Sequence, residues 1–254
     1  MIPLPRVAPG AAFSPIPIRR GTRVFVLTGA GISAESGIRT LRDAGGLWEQ
    51  HRIEDVATPE GFERAPDLVW RFYSERRKKA ATVRPNPAHL ALARLGEQIG
   101  DDLFLCTQNV DALHERAGSR GVWHMHGRLL STRCSECSRA PFDDESAYEK
   151  APRCDCGALL RPDVVWFGEM PYGLSRIYEA LEECDLFVTV GSSGAVYPAA
   201  GLASHVRNFP SVRTGRFART IYVGLERPEN AHSFDECRLG KAGELLPDLF
   251  KLED

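Results

Sequence analysis

The sequence predicts an α/β fold, a parallel sheet with helices on both faces and a small module set into it, from three observations. Four short apolar runs, at 24–27, 103–106, 186–190 and 220–223, are partly β-branched and separated by helical patterns, which is how strands buried on both faces of a parallel sheet read. The first run leads into Gly29-Ala30-Gly31-Ile32-Ser33-Ala34, a glycine turn that opens a helix straight after a strand. Two stretches break the alternation, 43–84 with helical material and 129–160 with paired cysteines. Both are expected as insertions into one Rossmann-like, nucleotide-binding domain over 21–254.

Residues 1–20 hold five prolines, end in Arg19-Arg20 and contain no apolar stretch. They read as a flexible tail and not as a secretion leader. Gly29 and Gly31, on either side of Ala30, are expected to take backbone angles closed to other residues and carry no side chain, so that a pyrophosphate can approach the amides of the next helix. A dehydrogenase would carry an acidic residue about 20 positions on, closing a second strand. Here Glu49 and Glu54 lie in a polar Gly/Trp/His segment, so a nucleotide is expected without hydride transfer. A glycine turn that merely packs strand on helix is the alternative.

Pro66 suits the first turn of a helix on which Val69, Phe72, Tyr73 and Arg76 share one face. Arg76 is then a charge on an apolar stripe, and an ordinary arginine there runs its stem out to water. The strip Arg76, Arg77, Lys78, Lys79 reads as a solvated helix end. After the second strand, Gln108, Asn109 and Asp111 can grip ribose hydroxyls and a carboxamide, or Asn109 and Asp111 can cap a helix. In His124-Met125-His126-Gly127 the glycine leaves the His126 ring accessible, although a lone histidine is more often structural. Gly191-Ser192-Ser193-Gly194 ends the third strand in a turn suited to ribose or phosphate.

Cys134-x2-Cys137 and Cys154-x-Cys156, sixteen residues apart, form two knuckles able to offer four thiolates to one structural zinc. Sulfur at all four positions leaves no site open to substrate. Cys106, Cys184 and Cys237 are expected as buried apolar residues. The net charge of -2 across 254 residues gives no footprint for nucleic acid or an anionic membrane. No apolar run approaches the roughly 20 residues of a membrane span. A cytoplasmic protein is expected.

Taken in order, GAGISAESGIRT (29–40), GLW (46–48), EDVATPEGF (54–62), TQNVDALHERAG (107–118), HMHG (124–127), the cysteine knuckles, LRPDVVWFGEMP (160–171) and GSSGAVYPAAG (191–201) resemble the sirtuins, most closely class III sirtuins of the bacterial CobB type. The resemblance implies NAD-dependent protein-lysine deacylation. The acyl oxygen would attack the ribose as nicotinamide leaves, His126 would take a ribose hydroxyl proton, and free lysine and acylated ADP-ribose would result.

The glycine loop and Arg42 would hold the pyrophosphate side; Gln108, Asn109 and Asp111 the nicotinamide ribose and amide; Gly224, Leu225, Glu226 and Ala242 the adenosine end. Val165, Phe167, Gly168 and Glu169 match the strand that pairs with an acyl-lysine protein substrate by backbone addition. Tyr73 and Arg76 match the Y-x-x-R pair that grips a negatively charged acyl group, which implies succinyl-lysine beside acetyl-lysine as substrate. ADP-ribosyl transfer, NAD hydrolysis and non-catalytic binding are the competing activities. Three positions depart from the family: Leu41 for phenylalanine over the nicotinamide pocket, Ser192 for threonine, and Gly224 for an asparagine near the adenosine ribose. The last removes a hydrogen bond of about 0.5 to 1.5 kcal/mol.

Overall fold

A computed structural model describes residues 4–38, 47–48 and 51–253. Along them run β1 (Arg6–Pro9), β2 (Ile16–Arg19), β3 (Val24–Thr28), α1 (Ala30–Ala34), β4 (Leu47–Trp48), β5 (His51–Arg52), α2 (Ile53–Val56), α3 (Pro59–Arg64), α4 (Pro66–Thr82) and α5 (Pro87–Ile99). They are followed by β6 (Leu103–Thr107), α6 (Leu113–Arg116), β7 (Trp123–His124), β8 (Gly127–Cys134), β9 (Phe142–Asp143), β10 (Leu160–Val164), α7 (Leu174–Glu183), β11 (Leu186–Val190), α8 (Leu202–Asn208), β12 (Arg219–Gly224), β13 (Glu236–Leu239), α9 (Ala242–Leu245) and β14 (Phe250–Glu253). Arg42 and Leu41 lie outside the described residues.

The four predicted strands are β3, β6, β11 and β12, and they form the centre of a seven-stranded parallel sheet of order β1-β13-β12-β11-β3-β6-β7. Alternate residues of each strand feed opposite cores. Val24, Val26, Val188 and Ile221 pack under α5 and α9 with Leu92, Leu95 and Ala242. Phe25, Leu27, Phe187 and Tyr222 pack under α7 and α8 with Ile177, Leu181, Leu202 and Val206. The chain leaves β3 for β6 on one side and later returns as β11 on the other. That reversal is where an open parallel sheet receives its ligand, at the carboxyl ends of the strands.

The two interruptions pack on each other. Trp70, Phe72 and Tyr73 of α4 share a core with Leu129, Leu160, Val164 and Trp166 around the three-stranded antiparallel sheet β10-β8-β9. Arg77 clasps the two pieces together. It is 2% exposed and donates to the Leu129, Ser131 and Ser146 carbonyls, to Thr132 Oγ1 at 2.9 Å and to Asp144 at 3.2 Å. Only part of the basic strip is therefore a solvated helix end, because a guanidinium with five oxygen partners can be buried.

The expected tail is also corrected. β1 pairs with β13 at the sheet edge, and β2 pairs with β14. Prolines are tolerated there, since an edge strand has a side on which no donor is required. Ile16 and Ile18 alternate inward into the core. Among the described residues no helix is long and apolar enough to cross a membrane.

Candidate active site

The glycine loop after β3 and the one after β11 touch. Gly29 N–H donates to Val190 O at 2.9 Å and Gly31 N–H to Gly191 O at 2.8 Å. A Cβ on Gly29 would stand 2.8 Å from Gly191 O, and one on Gly31 2.7 Å from Gly191 Cα. Neither glycine has a positive φ. The two residues are glycine because two loops meet there, not because of unusual backbone angles, and two of the amides expected to face phosphate are spent on that contact. The packing alternative is thus part of the answer, and it builds one wall of a cavity of about 570 Å³.

Every described residue expected to hold cofactor or substrate lines that cavity, along with His126. Its floor comes from the tip of β6. Gln108 N–H continues the sheet onto Thr28 O at 2.9 Å, and its side chain donates to Ser192 Oγ at 3.0 Å. Asn109 Nδ2 donates to Gly29 O at 3.0 Å and to Ser33 Oγ at 3.3 Å, while Ser33 Oγ donates to Asp111 Oδ2 at 3.0 Å. The other Asp111 oxygen accepts Leu113 N–H, so Asp111 caps α6 as well as facing the cavity. Burial pushes its carboxyl up, against the pull of those two donors. Beneath them, Thr107 Oγ1 accepts Asn109 N–H at 3.0 Å and the Thr28 hydroxyl at 2.8 Å, with His114 Nε2 2.9 Å from Thr28 Oγ1.

The two neighbouring histidines have different surroundings. His124 has both ring nitrogens engaged, Nδ1 at 3.0 Å from Asn109 O and Nε2 at 2.7 Å from Glu115 Oε1. His126 has Nδ1 at 3.1 Å from Gln108 O. A carbonyl can only accept, so Nδ1 carries the proton and Nε2 is left as a base. Burial lowers its pKa and the Gln108 carbonyl partly restores it.

On the far wall, Tyr73 is 1% exposed and Trp166 is 3% exposed, and Trp166 Nε1 donates to the Tyr73 phenol at 2.9 Å. The Arg76 guanidinium lies 5.8 Å from the Tyr73 ring centre. Val165 N–H donates to His126 O, Phe167 N–H to Ala57 O and Glu169 N–H to Trp166 O. The Glu169 carboxylate is tied to Arg161 at 2.7 and 2.9 Å and to Trp166 N–H at 2.8 Å. The expected strand over 165–169 is instead a turn: β10 ends at Val164, Glu169 N–H closes back on Trp166 O, and Gly168 takes a positive φ of 91° between them.

At the end of the cavity expected to hold adenosine, Gly224 closes β12, with Leu225 65% exposed beyond it. A side chain at 224 would run into the Tyr222 phenol. Tyr222, two residues earlier on the same strand face, fills the space and lines the cavity. Ser33, Trp166 and Tyr222 were not singled out from the sequence. The signals were a serine inside the glycine motif, an aromatic between two positions expected to receive peptide, and the period-2 spacing from Gly224.

The four cysteine sulfurs lie within 4.8 Å of one another, with Cys134–Cys156 at 3.6 Å and Cys137–Cys154 at 3.8 Å. Zinc–sulfur bonds of about 2.3 Å in a tetrahedron need sulfurs about 3.8 Å apart. The N–H groups of Glu136 and Cys137 both point at Cys134 Sγ, which favours its thiolate. The cluster fits a structural zinc, held by Cys134, Cys137, Cys154 and Cys156. Cys106, Cys184 and Cys237 are buried and apart from it.

The Sir2 family model matches residues 29–198, and a NAD-dependent protein deacylase of Pasteurella multocida (strain Pm70) is 51% identical over 232 residues, 89% of this chain and 95% of that protein. The chain belongs to the Sir2 family. A NAD-dependent protein deacylase of Escherichia coli (strain K12) is 50% identical over 230 residues, covering 89% of this Sir2 chain and 80% of the other. Among solved structures, a Sir2 homologue in complex with NAD superposes with a TM-score of 0.78 at 42% identity, over 90% of this chain and 88% of that one. A mutant Sir2 homologue in complex with 2'-O-acetyl ADP ribose gives 0.77 at 42% identity, over 89% of each.

Proposed function

We propose that this Sir2 protein is an NAD-dependent protein-lysine deacylase that acts on succinyl-lysine and on acetyl-lysine, transferring the acyl group to ADP-ribose and releasing nicotinamide. The observation that carries the reading is the single cavity: the glycine loops, the β6 tip, His126 and the Tyr73–Arg76 wall all open on one space. NAD is a substrate here and is consumed. Gly29, Ala30, Gly31 and Arg42 receive its pyrophosphate, Gly191, Ser192 and Ser193 a ribose, and Gly224, Leu225, Glu226 and Ala242 the adenosine. Asn109, Asp111 and Gln108 orient the nicotinamide ribose and amide. Asn109 and Asp111 are held for this by Ser33.

With Nδ1–H fixed on Gln108 O, His126 Nε2 takes the ribose hydroxyl proton so that the sugar oxygen bonds to the acyl carbon, and one water is consumed as the lysine amine leaves. The wall of Tyr73 and Arg76 receives a carboxylate at the end of the acyl chain, where a guanidinium and a phenol supply the donors. Zinc, when bound, supplies only structure, since all its positions are taken by sulfur. The matching names of the curated relatives support deacylation; the choice of acyl group rests on Tyr73 and Arg76. Cysteines set for zinc or buried as thiols, none of them in a disulfide, suit the cytoplasm.

The acyl preference is tested by kcat/KM on a succinyl-lysine and an acetyl-lysine peptide of one sequence. Charge-assisted hydrogen bonds contribute about 1.5 to 3 kcal/mol, so Arg76→Met should lower the succinyl-to-acetyl ratio by roughly 10- to 150-fold. An unchanged ratio would make Arg76 a fold residue, and absence of desuccinylation by the unaltered protein would make it a plain deacetylase.

A further inference from the structure

Trp166 lies between two residues of the peptide-receiving stretch, yet its indole turns inward, and the acyl wall is where it ends. Its Nε1–H donates to the Tyr73 phenol at 2.9 Å. Among the described residues this is the one hydrogen bond at that oxygen, and none of them accepts the Tyr73 hydroxyl proton. A phenol has one proton to give and lone pairs to accept with. With a lone pair occupied by the indole, what remains for a ligand is donation. Burial raises the pKa of Tyr73, so it keeps that proton.

The indole is itself immobilised. The Arg161 guanidinium stacks 3.5 Å above the Trp166 ring centre, and Phe62 packs against the ring at 5.3 Å. Glu169 holds Arg161 through both carboxylate oxygens and accepts the Trp166 backbone N–H. A cation over the indole face draws electron density from the ring and makes Nε1–H a better donor.

We propose that Trp166 is a positioning residue for the acyl pocket: resting on the reading of Tyr73 and Arg76 as the carboxylate grip, its indole N–H fixes the Tyr73 oxygen so that the phenol proton is presented to the carboxylate of the acyl chain. A carboxylate can only accept and is favoured by this arrangement, while acetyl gains nothing from it. The same residue joins the peptide-receiving stretch to the acyl wall, so that the two halves of substrate recognition share one side chain.

The test is the succinyl-to-acetyl ratio of kcat/KM in a double-variant cycle of Trp166→Phe and Tyr73→Phe. The phenol-to-carboxylate hydrogen bond has an ionised acceptor, so Tyr73→Phe should lower the ratio by roughly 10- to 150-fold, and Trp166→Phe, which removes only the neutral bond that aims the phenol, by roughly two- to tenfold. The double variant should lower it no further than Tyr73→Phe alone, because Trp166 acts through the hydroxyl that Tyr73→Phe removes. Multiplicative losses, or a fall on both substrates that leaves the ratio unchanged, would make Trp166 a packing residue. Should Trp166→Phe fail to fold, benzothienylalanine at position 166 keeps the bicyclic shape, replaces the N–H by sulfur, and must give the same ratio. If Arg76→Met and Tyr73→Phe both leave the ratio unchanged, the carboxylate grip is wrong and Trp166 has nothing to position. If they lower it while Trp166→Phe does not, the grip stands and only the role of Trp166 is lost.

Discussion

His126 Nδ1 sits 3.1 Å from the backbone carbonyl of Gln108, the residue whose side chain reaches across to Ser192 on the opposite glycine loop. One residue thus orients the His126 ring by its main chain and braces the glycine loop after β11 by its side chain. His124, two positions earlier, has no free nitrogen to offer.

The base follows from that geometry. His126→Ala should retain NAD and peptide binding and lose turnover by a factor on the order of 10² or more, read by calorimetric binding beside steady-state rates. The pH profile carries a sign. Burial favours the neutral ring, so the pKa in the folded protein is below the ordinary 6.5, and the acid limb of kcat/KM should inflect below that value. The same depression makes the folded state lose stability as pH falls through 6.5, because the unfolded chain then binds the proton more readily. A limb inflecting above 6.5 would remove His126 as the group titrated.

The cysteine module supports the wall that carries Tyr73, through the core it shares with α4. Cys134→Ser or Cys154→Ser should release zinc and unfold that module, since metal binding there is folding free energy, and activity should fall with metal content. A metal-free, fully active variant would show that the four-cysteine site is dispensable.

Gly224 tests a substitution read backwards from its relatives. The resemblance implies an asparagine there, but in this chain a Cβ at 224 meets the Tyr222 phenol. Gly224→Asn should therefore cost about 1 to 3 kcal/mol by overpacking, seen as a lower Tm, without tighter NAD binding. Tyr222→Ala in the same chain should relieve the collision. A Gly224→Asn protein as stable as the original would mean that Tyr222 moves aside freely.

Much of this was legible in the sequence where one residue type answers one demand. β-branched apolar runs marked the buried strands, and cysteine pairs marked the metal cluster. Prolines hid β1 and β2, because proline argues against a strand everywhere except at an edge, and edges are set by the whole sheet. The glycines of 29–31 were assigned to the right place for an incomplete reason: their closest neighbour is Gly191, 160 residues later in Gly31's case, and no local pattern records that contact. Arg76 and Arg77 are adjacent and chemically identical, yet one lines the cavity and the other is a buried clasp. Helical phase separated them only once the cysteine module was packed on α4.

In the proposed function acyl-lysine, NAD and His126 meet in one cavity to move an acyl group onto ADP-ribose. This transfer is tested most directly by mass spectrometry of the products formed from NAD with and without a succinyl- or acetyl-lysine peptide. Acyl-ADP-ribose, nicotinamide and free lysine peptide should appear in equal amounts, only when the acyl peptide is present, and His126→Ala should abolish all three together. Nicotinamide released at the same rate without acyl peptide, or ADP-ribose attached to protein with the acyl group still on lysine, would contradict it.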